Sequence, residues 1–305
     1  MRPKLAVQIG KMKLKNPVMV ASGTFGEEYS RLTRIGSLGA VIMKTVTLKA
    51  RTGNPPPRIM ETASGCLNSI GLENQGVDDF IKVKLPAIRR FKIPVVASIA
   101  SDSRYEYAAL TKRLDRAVGV SGIEVNLSCP NVKHGNRAGL ISQDPNEVCS
   151  VIKAVRRSTR LTVIAKLTPN VADIAKIALA AESGGADAVT IANTFPAMAI
   201  DINSGRPSLG NVTGGLSGPA IKPIVLKMVW DAAGKVRIPI IASGGIMDYK
   251  DTLEYMLAGA TAVQVGTATF VDPDAAAKII IGLTEYLKWK DIPDIKRLIG
   301  GSRRR

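Results

Sequence analysis

Short apolar, β-branched runs alternate along the chain with stretches of amphipathic helical period, from near the N-terminus to the end. The runs that read as strands cover 17–22, 40–45, 94–99, 122–127, 162–167, 188–193, 239–243 and 262–266. Between them, helical patterns cover 105–117, 145–157, 171–183, 219–233 and 250–257. Regular alternation of the two favours a parallel sheet with helical crossovers. Eight strands are the number that closes such a sheet into a barrel.

Several helical patterns end in glycine just before the next strand, as in Gly184-Gly185-Ala186 and Ala258-Gly259-Ala260. A glycine there supplies the left-handed C-cap that turns the chain into the sheet. Two connections, 48–76 and 194–217, are too long for plain βα loops and lack helical period. Both follow strands, so both are expected to rise from the C-terminal face of the barrel, where active sites of this architecture lie. The expected fold is therefore α/β: a (β/α)8 TIM barrel with long loop insertions at the C-terminal face. A barrel commonly takes about 250 residues, so residues 1–305 are read as one domain.

Composition narrows the picture. Apolar residues make up 46% of the chain and aromatics only 4%, which fits a core of Val, Ile, Leu and Ala. The formal charge of +17 raises the question of nucleic acid. The basic residues are spread over the outer helical patterns, at Lys112, Arg113, Arg116, Lys153, Arg156 and Arg157, and read as solvated charge. Only Arg303-Arg304-Arg305 clusters, and so short a terminal run is expected to be disordered. Three cysteines, Cys66, Cys129 and Cys149, lack paired spacing, so neither a disulfide framework nor a metal site is expected. No apolar run has the length of a membrane span and the start lacks a signal-like core, so a cytoplasmic location with no membrane contact is expected.

Candidate chemistry lies at the strand ends. Ser22, Lys44, Thr45, Ser98, Asn126, Lys166, Asn193, Ser243 and Thr267 all fall at C-terminal ends of the expected strands. Two lysines emerging from apolar strands are costly without an anion or polar ligand to meet them. The last two strands run into Ser243-Gly244-Gly245 and Gly266-Thr267, the place where a barrel cradles phosphate on backbone N–H groups. After the fourth strand, Cys129 sits between amides in Asn126-Leu127-Ser128-Cys129-Pro130-Asn131. Cys66 and Cys149 read as small buried hydrophobes. The single histidine, His134, lies in a basic loop and reads as a surface residue rather than a partner for Cys129.

These motifs, with Lys44-Thr45-Val46-Thr47, Asn68-Ser69-Ile70-Gly71-Leu72-Glu73-Asn74, Lys166-Leu167-Thr168-Pro169 and Gly214-Gly215-Leu216-Ser217-Gly218, occur in one order along the chain. In that order the chain resembles the class 1 dihydroorotate dehydrogenases over essentially its whole length. The resemblance implies one FMN per chain across the barrel mouth. Its phosphate would lie on Gly244, Gly245, Gly266 and Thr267, with the ring near Ser22, Lys44, Thr45, Asn126, Lys166, Ile191 and Gly218. Substrate would be held by Lys44, the segment Asn68, Ser69, Ile70, Gly71 and Leu72, and by Asn126, Asn131, Asn193 and Thr194. Cys129 would be the catalytic base, removing the C5 proton of dihydroorotate while hydride passes from C6 to the flavin. Ser98 stands where the family pattern favours asparagine, so no flavin contact is assigned there.

Cysteine as base fits class 1, whereas membrane-bound class 2 members carry serine. The 210–218 segment is more similar to the 1B type, in which a partner subunit carries FAD and a 2Fe–2S cluster and passes electrons to NAD. A homodimer, and a heterotetramer with that subunit, would follow. The chain itself has no G-x-G-x-x-G fingerprint and too few cysteines for a cluster. The alternatives are a fumarate-dependent class 1A enzyme, another FMN barrel such as a tRNA dihydrouridine synthase, and a flavin- or phosphate-binding barrel without activity. The second would need an RNA-binding domain or face, whereas after Ala275 only one helical pattern and a short tail remain.

Overall fold

The computed structural model describes residues 3–127 and 141–303. Eight strands close a barrel: β1 Val18–Val20, β2 Ala40–Ile42, β3 Val95–Ile99, β4 Val120–Asn126, β5 Thr162–Lys166, β6 Ala188–Ile191, β7 Ile240–Ala242 and β8 Ala262–Val265. Each pairs in parallel with the next, and β8 returns to β1 through Val263 opposite Val18. All eight fall on the runs expected from sequence. Strands covered by helices outside and by side chains inside are buried on both faces, so they read as near-continuous apolar runs.

Four of the described surrounding helices begin at side-chain caps. Ser103 accepts from Glu106 N ahead of Arg104–Asp115, and Asp144 accepts from Asn146 N ahead of Pro145–Arg156. Asp173 accepts from Ala175 N and Lys176 N, which starts that helix at Ile174 rather than at 171. Asp248 and Asp251 form a reciprocal capping box for Tyr249–Ala258. The helix Lys222–Ala233 is preceded by a 3-10 turn over Pro219–Ile221, and Ala275–Trp289 closes the ring. The expectation of a disordered tail fails at Arg303, whose guanidinium stacks on Trp230 at 4.4 Å and donates to its carbonyl. An aromatic face and a free helix carbonyl give the cation two partners there.

The two ends of the barrel are closed differently. Below, an antiparallel hairpin of Val7–Ile9 and Met12–Leu14, not anticipated from sequence, turns at Gly10 with φ +53°. It is tied to β5 by Lys11 N donating to Thr162 Oγ1 at 3.0 Å. Above, the two long connections form one four-stranded antiparallel sheet in the order Phe195–Ala197, Gly214–Ser217, Gly65–Asn68, Ile59–Thr62. The expected loop insertions are therefore an ordered roof. The roof admits little bulk, since a Cβ on Gly215 would meet Thr194 Oγ1 at 2.0 Å and one on Gly65 would meet Ser217 O at 2.1 Å.

Gly259 shows what the helix-to-strand turns require. Its φ is +128°, and a Cβ would lie 2.4 Å from Ala233 Cβ on the neighbouring helix. Gly205, in an exposed turn with φ +68°, has nothing within 4 Å. Gly259→Ala is expected to lower the free energy of unfolding by about 2 kcal/mol or more, from backbone strain and the clash together. Gly205→Ala should cost only about 1 kcal/mol, from the dihedral alone. Denaturant titration of both variants checks this; equal losses would mean that the packing at Gly259 contributes nothing.

Candidate functional site

A cavity of about 620 Å³ opens at the C-terminal ends of the strands beneath the roof sheet. Its wall takes Ala21 and Ser22 after β1, Lys44 and Thr45 after β2, Asn126 at the end of β4 and Lys166 at the end of β5. Ala192, Asn193 and Thr194 follow β6, Ser243 to Met247 follow β7, and Gly266 and Thr267 follow β8. The roof adds Asn68, Ser69, Ile70, Gly71 and Leu72 from the first long connection, and Gly214, Gly215, Ser217 and Gly218 from the second.

Hydrogen bonds fix these groups locally. Asn74 is the hub of the first loop: its Oδ1 accepts from Thr47 N at 3.2 Å and Gly76 N at 2.8 Å, and its Nδ2 donates to Leu72 O at 2.8 Å. Asn54 Nδ2 donates to Ser69 Oγ at 2.9 Å, and Arg58 pairs with Glu73 at 2.7 Å. Asn68 Nδ2 donates to Gly215 O across the roof at 3.3 Å. On the floor, Asn193 Nδ2 donates to Asn126 Oδ1 at 3.3 Å, while Asn193 Oδ1 accepts from Thr194 N at 2.8 Å. The amides are thus held as a ring that both donates and accepts, suited to a flat polar heterocycle.

The charge in the wall is one-sided. Lys44 and Lys166 line the cavity, and no Asp or Glu lines it among the described residues. Lys44 is exposed at the mouth, whereas Lys166 is buried on the floor. The nearest carboxylate to Lys166 lies one layer down inside the barrel: Glu124 Oε1, 3.9 Å from Lys166 Nζ. Such a wall favours an anionic ligand.

At the β7 and β8 ends the backbone itself is the lining. Gly244 has φ +150° and Gly245 φ +65°; a Cβ on Gly245 would sit 2.6 Å from Lys222 Cβ. At Gly266 a Cβ would meet only Ala21 and Thr24, at 3.5 and 3.7 Å, so protein packing leaves that position open to the cavity. The buried Tyr255 hydroxyl donates to Gly244 O at 2.6 Å, holding the Gly244-Gly245 turn from behind. Burial pushes the Tyr255 phenol far above its ordinary pKa, so it stays a donor. Thr267 Oγ1 donates to Ser217 Oγ at 2.8 Å, joining this rim to the roof.

Most residues expected from sequence meet here. Ile191 does not: it is fully buried, and Ala192 takes the wall position beside it. Cys129, Asn131 and His134 lie outside the described residues; in sequence they come after Asn126, which lines the cavity. Ser98 is buried behind the wall, 2.8 Å from Thr45 Oγ1, so it supports Thr45 and is not itself part of the lining. Cys66 is buried as expected but also lines the cavity, and burial pushes its thiol pKa up, leaving it a poor nucleophile. Cys149 is only half-buried. Sequence reasoning passed over Glu124 and Gln264, although each is a polar residue inside an apolar strand and Glu124 is in phase with Asn126, two residues on.

Comparison with known proteins agrees with this geometry. The family model described as dihydroorotate dehydrogenase matches residues 4–287. The chain is 51% identical over 306 residues to the dihydroorotate dehydrogenase B (NAD(+)) catalytic subunit of Desulforudis audaxviator, covering 100% of this chain and 99% of that protein. It is 50% identical over 298 residues to the protein of the same name from Thermoanaerobacter sp. (strain X514), covering 97% and 98%. Among solved structures, DHODH of Eimeria tenella in complex with ferulenol superposes with a TM-score of 0.80 at 25% identity, covering 99% of this chain and 89% of that one. Among the described residues, no helix is long and apolar enough to cross a membrane. The chain belongs to the dihydroorotate dehydrogenase family of oxidoreductases, and its full-length relatives place it with the class 1B catalytic subunits.

Proposed function

We propose that the chain binds one FMN and oxidises (S)-dihydroorotate to orotate, the redox step of de novo pyrimidine (UMP) biosynthesis. The observation that carries this is the mouth cavity, in which two lysines and a ring of amides, with no carboxylate among the described lining residues, face a glycine rim. FMN fits that wall. Its phosphate suits the backbone at Gly244, Gly245, Gly266 and Thr267, the three glycines carrying no side chain and the Thr267 hydroxyl being turned to Ser217. The ring suits the floor formed by Ser22, Thr45, Asn126 and Lys166, with Gly218 at its edge and Ile191 behind the wall beside Ala192. Bound there, FMN supplies the hydride acceptor.

The chain's own groups do the rest. Lys44 meets the substrate carboxylate at the mouth, and Asn68, Asn126, Asn131 and Asn193 satisfy the ring carbonyls and N–H groups. The roof from Asn68 to Leu72 excludes water from the reacting face. Cys129, on the segment that leaves Asn126, takes the C5 proton as thiolate. Lys44 raises the positive potential at the mouth, which favours that thiolate. Lys166 offers positive charge to the cofactor as it accepts electrons.

The relatives are named as catalytic subunits with NAD(+) as acceptor, which supports a separate electron-transfer subunit here. In this reading the partner carries FAD and a 2Fe–2S cluster, the flavin chain forms a homodimer, and two partners complete a heterotetramer in the cytoplasm. Residues 1–305 act as one domain. No role in nucleic-acid binding is proposed.

Two variants test the site. Cys129→Ser should keep normal flavin content, yet slow flavin reduction by dihydroorotate at least about a hundredfold, the scale of lost acid–base catalysis, in anaerobic stopped flow. Unchanged kinetics would remove Cys129 from the reaction. Lys44→Met should weaken orotate binding by about ten- to a hundredfold, the worth of a charge-assisted hydrogen bond, in a spectral titration of the yellow protein. An unaltered affinity would place the carboxylate elsewhere. The acceptor is tested separately: NADH should form only when the electron-transfer subunit is present, and turnover with fumarate by the chain alone would favour the class 1A reading instead.

A further inference from the structure

Among the described residues, the barrel interior holds a charged group that the proposed reaction does not use. Glu124, on β4, is fully buried. Its Oε2 accepts from Thr190 Oγ1 of β6 at 3.0 Å and from Gln264 Nε2 of β8. Its Oε1 has no hydrogen-bond partner among the described residues and lies 3.9 Å from Lys166 Nζ. Lys166 Nζ in turn donates to Gln264 Oε1 at 3.2 Å. Alternate strands of a barrel contribute to one interior layer, so β4, β6 and β8 set three polar side chains directly beneath the cavity floor that Lys166 forms.

Stability alone is a poor reason for this arrangement. A buried ion pair is often no more stable than apolar residues of the same volume, and an oxygen left without a hydrogen bond adds to its cost. The geometry has a different consequence. At 3.9 Å the carboxylate is too far to take a hydrogen bond from Nζ but close enough to act on its charge. Of the three donors on the ammonium, one is used by Gln264, and Glu124 leaves the others to the cavity. Lys166 therefore offers hydrogen bonds to a cavity ligand while much of its field is cancelled from behind.

We propose that Glu124 is a positioning residue that sets the reduction potential of the bound flavin through Lys166, holding it lower than an uncompensated lysine would. The proposal rests on the FMN reading above. A lone cation beside the flavin stabilises the negative charge gained on reduction and makes the reduced cofactor keep its electrons. A lysine with a carboxylate behind it orients the same edge of the ring without that penalty. The reduced flavin then discharges more readily to an acceptor as strongly reducing as a nicotinamide couple.

The test is the equilibrium potential of the FMN-loaded chain, measured by spectral titration against a reference dye under anaerobic conditions. Glu124→Gln removes the charge and keeps the shape. It should shift the flavin equilibrium at least about tenfold toward the reduced form, a rise of about 30 mV for a two-electron couple. Glu124→Met, an apolar replacement of the kind buried pairs tolerate, should shift it in the same direction. Thr190→Val loses a hydrogen bond to the same carboxylate without changing charge, and should stay within threefold of the unmodified chain. A potential unmoved in both Glu124 variants overturns the proposal, as does an equal shift in Thr190→Val. If both Glu124 variants lose FMN while Thr190→Val retains it, the carboxylate serves to build the site and the proposal also fails. An unmodified chain that binds no FMN would instead defeat the reading on which the proposal rests.

Discussion

Closure of eight parallel strands is the constraint on which the rest depends. It leaves no sheet edge, buries both faces of every strand and turns alternate side chains into a packed interior. It also forces all eight C-terminal strand ends into one ring. Residues as distant in sequence as Ser22, Lys44, Asn126, Lys166 and Thr267 become neighbours around a single cavity. The connections that follow β2 and β6 then meet above that ring, where Cys66 O and Ser217 Oγ, 151 residues apart, are joined at 3.3 Å.

Within that ring, charge and backbone divide the work. The glycine rim presents main chain because side chains at Gly244 and Gly245 would collide with Val225 and Lys222 on the helix behind. The floor presents a buried lysine because Glu124 and Gln264 give it partners inside the barrel, with Thr190 bonded in turn to Glu124. Lys44 at the mouth remains exposed for an anionic ligand. A site with two cations in its lining and a carboxylate one layer deeper attracts anions while tempering the field felt at the floor.

The barrel strands were legible in the sequence because double burial writes them as apolar runs of the right length, and because helix patterns separate them. Helix starts shifted where a cap such as Asp173 decided the boundary. The roof strands were not legible. Gly65–Asn68 and Gly214–Ser217 are short, contain glycine and pair with each other up to 151 residues apart, so no local period marks them. The wall residues were largely recoverable from strand ends and from family resemblance; Ile191 is fully buried and does not itself line the cavity, whereas Ala192 beside it does. Glu124 was hidden by its neighbours: one acidic residue in Gly-Ile-Glu-Val-Asn carries no sign of the lysine that faces it from the next strand.

The most direct measurement is anaerobic. The purified chain, without any partner subunit, is mixed with dihydroorotate while the flavin band at about 450 nm is followed. Bleaching of a yellow protein, with orotate formed in equal amount, is the expected result. A yellow protein that stays oxidised would contradict the substrate, and a colourless protein that takes up no FMN would contradict the site itself.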